Sequence, residues 1–184
     1  LEGQEKRLLD ELVADFVEAG ANLPEDKRTQ LEKLSTELAQ VTQKFSENVL
    51  DSTNAWQKNI GDESLLEGLP ESAKIAARET AKQKKMDGWL FTLHAPSIMP
   101  IMKYLDSSSI RREFWEKSSK IGWTEDRNNT DLIRKILELR QEKALLLGKK
   151  DYADVMLERR MAGSGARADE FVSDLKNKTT DAFK

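Results

Sequence analysis

The chain has 184 residues, with 30 Lys and Arg against 33 Asp and Glu, one His and no Cys. The lack of Cys excludes disulfides, iron–sulfur clusters and thiolate zinc sites, and a single His excludes a two-His zinc site built from this chain alone. The net charge of −3 argues against nucleic-acid binding, which shows a basic excess, and no apolar run approaches the roughly 18–20 residues of a membrane span.

Apolar residues make up 38% of the chain, enough for one sizeable core, and only 9 Gly and 4 Pro interrupt it. Lys, Glu, Leu and Ala are abundant, so the composition points to helices. No repeat, low-complexity tract or clear linker divides the sequence, and a single helical segment is expected.

The first helix carries Leu8, Leu9, Leu12, Val13, Phe16 and Val17 as a stripe of period near 3.6, and Gly20 suits the left-handed position just past its end. Pro24 opens the next helix. Leu31, Leu34, Leu38, Val41, Phe45 and Val49 recur there at alternating spacings of three and four, the seam of a helix packed along a long partner. This helix is expected to reach about Leu50, with Asp51-Ser52-Thr53-Asn54 as its stop. Residues 55–60 and 89–94 have strand-like content, and the pair predicts a small two-stranded ribbon. A helix from about Pro70 to Lys85 lies between them.

Pro96 and Pro100 bracket a helix start near Ser97 that continues to about Asp106. Ser107-Ser108-Ser109 caps another helix, with Ile110, Phe114, Trp115 and Ile121 inward and Gly122 at its end. Asn128-Asn129-Thr130-Asp131 opens a strong helix with Leu132, Ile133, Ile136, Leu137, Ala144 and Leu147 on its apolar side, closed by Gly148. A short helix over about Asp151–Arg160 follows, then Gly163-Ser164-Gly165 and a last helix with Phe171, Val172 and Leu175. That helix has no terminator before Lys184, and the chain starts without Met; a segment cut from a larger protein is expected. The fold class is therefore mainly α, an antiparallel multi-helix array with one small two-stranded β-ribbon pairing about 55–60 with 89–94.

Few residues offer a chemical signature. His94 is the sole histidine, so any Ser–His pair would have to use it; on a strand beside Leu90 and Thr92 it reads as a structural histidine. The residue three before it is Phe91, which excludes a Glu-x-x-His di-iron pair. Asp126 to Asp131 resembles a calcium loop only faintly: Asp131 stands where Gly is needed and Leu137 where the bidentate Glu is needed, so a helix cap is the better reading. Gly163-Ser164-Gly165 lacks a following Gly-Lys-Ser/Thr and reads as a turn between helices. Lys82, Lys84 and Lys85 read as a solvated helix end. Trp56, Trp89, Trp115 and Trp123 read as core or interface residues. No catalytic, metal or cofactor-binding residue is assigned.

A series of residues changes this reading. It runs through Asp15-Phe16, Gly20-Ala21, Phe45-Ser46-Glu47-Asn48-Val49-Leu50-Asp51, Gly68-Leu69-Pro70-Glu71-Ser72-Ala73 and Gly88-Trp89-Leu90-Phe91-Thr92-Leu93. It continues in Pro96-Ser97, Pro100-Ile101-Met102, Leu132-Ile133, Leu139-Arg140, Leu146-Leu147-Gly148, Tyr152-Ala153-Asp154 and Phe171-Val172-Ser173-Asp174-Leu175. In order and spacing it resembles the zinc oligopeptidases of the thimet oligopeptidase and oligopeptidase A family over nearly the whole chain. The resemblance implies a largely helical enzyme with a deep channel that admits only short peptides. It implies zinc held by a His-Glu-x-x-His helix and a later Glu.

His94 is followed by Ala95, so that motif is absent, and the match falls on the family's N-terminal half, ahead of the catalytic helix. The implied role is non-catalytic: part of the channel-wall domain, with the catalytic half as its partner, short peptides as substrates of the parent enzyme, zinc bound by the parent and none by this segment. The cytoplasm is the expected compartment, an organelle the alternative. A stand-alone helical protein-interaction module without activity is the competing reading.

Overall fold

The computed structural model describes residues 2–183. Eight α-helices appear among them: α1 (Gly3–Glu18), α2 (Glu25–Ala55), α3 (Glu71–Gln83), α4 (Ala95–Tyr104), α5 (Ser108–Ser118), α6 (Thr130–Leu146), α7 (Tyr152–Leu157) and α8 (Gly165–Thr179). Strands β1 (Gln57–Ile60) and β2 (Trp89–Thr92) form the expected two-stranded ribbon; it is antiparallel, in register from Gln57↔Thr92 to Ile60↔Trp89. A second ribbon, absent from the sequence reading, pairs β3 (Trp123–Thr124) with β4 (Arg127–Asn128). With two residues per strand it is too short for periodicity to reveal. The chain divides into two compact units, Gln43–Ile133 and the flanking residues to Thr42 and from Arg134; the divisions fall inside α2 and α6.

The Gln43–Ile133 unit holds the aromatic core. Ile60, Leu66, Leu69, Trp89, Phe91, Leu93, Ile101, Leu105, Ile110 and Phe114 are buried together. Phe114 sits at its centre, edge-on to Trp56 at 4.8 Å and to Phe91 at 6.4 Å between ring centroids. Trp115 is not inward: it keeps 59% of its surface exposed. Ile110 and Phe114 are four apart and share a helix face, and the next residue turns away from that face. Ile121, beyond the helix end, does pack against this core.

Helix α2 does not stop at Leu50. Its seam runs on through Asn48 and Ser52, both buried. Ser52 Oγ donates to the Asn48 carbonyl at 2.6 Å and Thr53 Oγ1 to that of Val49 at 2.8 Å. Hydroxyls that compete with the backbone in a loop here bond the carbonyls of the preceding turn. Asn48 Nδ2 donates to Asn129 Oδ1 at 2.8 Å, and Asn129 Nδ2 donates to the Phe45 carbonyl at 3.1 Å. The Asn129 N–H donates to the Gly122 carbonyl at 2.8 Å, and its own carbonyl accepts from Ile133 N–H as α6 begins. Gly122 has φ +72°, and a Cβ there would lie 3.0 Å from Asn129 Nδ2. Asn128 Oδ1 accepts from Thr130 N–H at 2.9 Å, so the 128–131 run does cap a helix.

Helix α4 starts earlier than expected, with Pro96 in its first turn and Pro100 inside. Pro96 is harmless at the start because that N–H has no intrahelical partner there, while Pro100 forgoes one bond. In the turn leading from β1, Asp62 accepts from Ser64 N–H at 2.9 Å. Hydrogen bonds from the Ser64 side chain and N–H hold the Asp62 carboxyl below its ordinary pKa of 3.8. What it contributes to stability is therefore present at neutral pH and is lost as pH falls through that lowered value.

Helix α3 ends in a double-bonded cap: Lys85 N–H bonds the Lys82 carbonyl at 2.9 Å and Met86 N–H that of Ala81 at 3.0 Å. The left-handed position belongs to Lys85, at φ +58°, where helices favour Gly. Lys85→Gly is expected to raise unfolding free energy by up to about 1 kcal/mol, and Lys85→Val to lower it, in urea titrations. In the same assay Phe114→Ala is expected to cost about 3–5 kcal/mol and Trp115→Ala under about 1 kcal/mol.

The flanking unit is built from α1, the first part of α2, most of α6, α7 and α8, and buries Leu31, Leu34, Ile136, Leu139 and Ala144. On α6 the inward face is Ile136, Leu139 and Ala144, while Ile133 and Leu137 are exposed. Asp151 caps α7 by accepting from Asp154 N–H at 3.0 Å. Ser164 caps α8 by accepting from Arg167 N–H at 3.2 Å, so Gly163-Ser164-Gly165 is the expected interhelix turn. Helix α8 ends at Thr179 and passes into a 3₁₀ turn over Thr180–Phe183.

Candidate functional site

His94 lies two residues past the end of β2, at the N-cap of α4 rather than on the strand. It is exposed, and its Nε2 lies 2.9 Å from Asn54 Oδ1. Asn54 is within reach only because α2 runs on past Leu50. Beside His94 is a cleft of about 310 Å³, floored by Leu90 and Phe91 and walled by Ala73, Ala76 and Ala77 of α3. Ser97 also lines it, but its Oγ accepts from Thr92 N–H at 2.9 Å, which stitches β2 to α4. The cleft thus has a histidine and the hydroxyls of Thr80, Thr92 and Ser97, each tied to a structural partner, and no nucleophile–base pair.

The other sequence candidates are dispersed. Lys82 pairs with Glu79 at 2.6 Å and Lys84 Nζ donates to Gln57 Oε1 at 2.6 Å. Asp126 pairs with Arg127 at 2.6 Å and accepts from Thr124 Oγ1 at 3.0 Å across the β3–β4 turn. Trp56 and Trp89 are core residues, the latter with Arg78 stacked 5.5 Å over its ring. Trp115 and Trp123 are exposed. Among the described residues, no three or more His, Cys, Asp or Glu stand where they could hold a metal ion.

One ionic cluster escaped the sequence reading. Just after α7, Arg159 Nη1 donates to Asp15 Oδ1 at 2.5 Å and to Glu18 Oε1 at 3.2 Å, and Nη2 pairs with Glu11. Hydrogen bonds to Asp15 first, then Glu11, push the pKa of this guanidinium further up. Acidic residues at i, i+4 and i+7 were visible as a row on α1, but their partner lies more than 140 positions away. Beside this cluster is a cleft of about 370 Å³, lined by Lys143, Tyr152, Met156 and Arg160.

The model of "Peptidase family M3" matches residues 101–184 of this mainly helical chain. The chain belongs to the thimet oligopeptidase and oligopeptidase A family. It is similar to oligopeptidase A of Salmonella typhimurium, with 36% identity over 176 residues, 93% of this chain and 26% of that protein. A probable cytosolic oligopeptidase A of Arabidopsis thaliana is 36% identical over 183 residues, covering 96% of this chain and 26% of its own length. The organellar oligopeptidase A of that plant is 35% identical over 184 residues, covering 96% and 23%. The chain thus spans about a quarter of the length of these relatives.

Removing the imidazole should cost only one exposed hydrogen bond. His94→Ala is expected to lower stability by about 0.5–1 kcal/mol in urea titration and to leave the far-ultraviolet dichroism unchanged.

Proposed function

We propose that this chain is a non-catalytic helical portion of a zinc-dependent oligopeptidase that hydrolyses short peptides. In this reading it belongs to the channel-wall domain, and its contribution is to access rather than chemistry. Rigid helices beside a channel exclude folded proteins because only an unfolded or short chain can thread between them. The observation that carries the reading is the similarity to oligopeptidase A over 93% of this chain, a match that takes in 26% of that protein.

Zinc takes Cys, His and carboxylate ligands in a tetrahedral shell, with three protein ligands in a catalytic site. This chain offers one His, exposed and bonded to Asn54, and no Cys. These residues do not fit a zinc site. The ligands and the general base belong, in this reading, to another part of the parent enzyme. The uncovered apolar residues of α1 and α8 agree with a segment that packs against further protein: Leu8, Phe16, Phe171 and Val172 all keep more than half of their surface exposed.

The cytoplasm is the compartment proposed, with an organelle as the alternative. Relatives are named as cytosolic in one case and organellar in another, and no described helix is long and apolar enough to cross a membrane.

Two measurements test the reading. The gene beyond the codon for Lys184 is expected to encode a His-Glu-x-x-His helix and a later Glu; a frame that closes without them sinks the oligopeptidase reading in favour of a stand-alone interaction module. The purified 184-residue chain is expected to leave quenched-fluorophore peptides uncleaved and to retain no stoichiometric zinc after dialysis. Tight zinc that disappears in His94→Ala would overturn the non-catalytic assignment.

A further inference from the structure

Helix α1 is attached inside out. Amphipathic helices normally bury the apolar stripe and leave the charged face in water. Here Leu8, Leu9, Leu12, Val13, Phe16 and Val17 are all exposed, and α1 contains no buried residue. The face turned toward its own unit is instead the carboxylate row Glu11, Asp15 and Glu18, which converges on the single guanidinium of Arg159. All three anchors lie in the C-terminal half of the helix. Toward the N-terminus, the ion pair that α1 makes is internal, Lys6 with Asp10 at 2.8 Å. Beyond the anchors is a sharp bend. Gly20, at φ +88°, carries a double-bonded helix cap, Gly20 N–H to the Val17 carbonyl and Ala21 N–H to that of Phe16, both at 2.9 Å. A Cβ at Gly20 would lie 2.4 Å from Leu31 Cδ2, so the bend itself is pinned against the first buried residue of α2.

We propose that α1 is a hinged strap, fastened to the α7 side of its unit by the Arg159 ion network and pivoting at the Gly20 bend when that network is weakened. This goes beyond the role proposed for the segment and does not depend on it. The physical ground is the kind of force involved. Burial of apolar surface is insensitive to moderate salt, whereas ion pairs open to solvent are screened, with a Debye length of about 10 Å at 0.1 M and about 3 Å at 1 M. A helix whose side-chain fastening is ionic therefore has an attachment that ionic strength can set, while its neighbours do not respond. Release also uncovers the cleft lined by Lys143, Tyr152, Arg159 and Arg160, whose cations are screened by the α1 carboxylates while the strap is down.

This 184-residue chain has no Cys, so a label pair can be introduced cleanly on it. Arg7→Cys on α1 and Met161→Cys, which is fully exposed, carry nitroxides whose separation is read by pulsed dipolar spectroscopy. A single narrow distance is expected at low salt. At about 1 M salt, or in Arg159→Gln at low salt, the distribution is expected to broaden at least twofold, with Arg159→Lys between the two. If Arg159→Gln fails to fold, the triple variant Glu11→Gln, Asp15→Asn, Glu18→Gln removes the same attraction from exposed positions and is expected to give the same broadening. A narrow, unshifted distance in a folded variant of either kind, and at high salt, would overturn the strap: α1 would then be held by something other than these ions.

Discussion

The buried amide pair Asn48–Asn129 is the constraint on which much of the Gln43–Ile133 unit depends. Two amides placed in a seam of Leu, Val and Phe would each cost about 1–3 kcal/mol if left unpaired. Each is instead used several ways. Asn129 closes on the Gly122 and Phe45 carbonyls, accepts from Asn48, and offers its own carbonyl to the first turn of α6. Three consequences follow from that one junction. Helix α2 continues past the point where its apolar seam ends, so Asn54 comes within reach of His94. Residue 122 is held as Gly, since a side chain would press on Asn129 Nδ2. The start of α6 is fixed at Thr130, with Asn128 as its second cap.

The same junction explains where the sequence was readable and where it was not. Helix ends marked by Gly20 and Gly148 were legible because a left-handed residue has a local, one-residue signature, whereas the end expected at Gly122 falls earlier, at Ser118. The ribbon of β1 with β2 was legible because aromatic and apolar content survives without knowledge of partners. The end of α2 was not. Asp51-Ser52-Thr53-Asn54 has loop composition, and only the tertiary partner of Asn48 and the back-bonded hydroxyls make it helical. Lys85 shows the converse: a helix end was expected there, yet no residue type announces a lysine in a left-handed position.

For the candidate site, composition set which donor side chains were on hand. One His and no Cys restrict chemistry before any coordinate is known. The family resemblance came from ordered residues spread along the chain, and oligopeptidase A is 36% identical over 176 residues. The Arg159 cluster was out of reach because sequence displays a row of acids, not the cation that folds onto it. Periodicity was also silent on Trp115: it marks two faces of α5 and leaves open which apolar residue at their border turns outward.

The exposed stripe of α1 carries the argument one step further. A 16-residue helix with no buried side chain is near the length at which isolated helices are marginal in water. Its start is weak, since Glu2 makes no side-chain cap. What keeps α1 helical within this chain is therefore the double-bonded cap at Gly20 and the ions at Arg159, both at its C-terminal end. Six apolar side chains of α1 are exposed, while the cap at Gly20 and the Arg159 ion pairs both lie at its C-terminal end. In the α8 helix, Phe171, Val172 and Leu175 repeat the pattern without the ionic clamp. For a segment covering about a quarter of its relatives' length, the physical content of these helices is in what they present outward rather than in what they enclose.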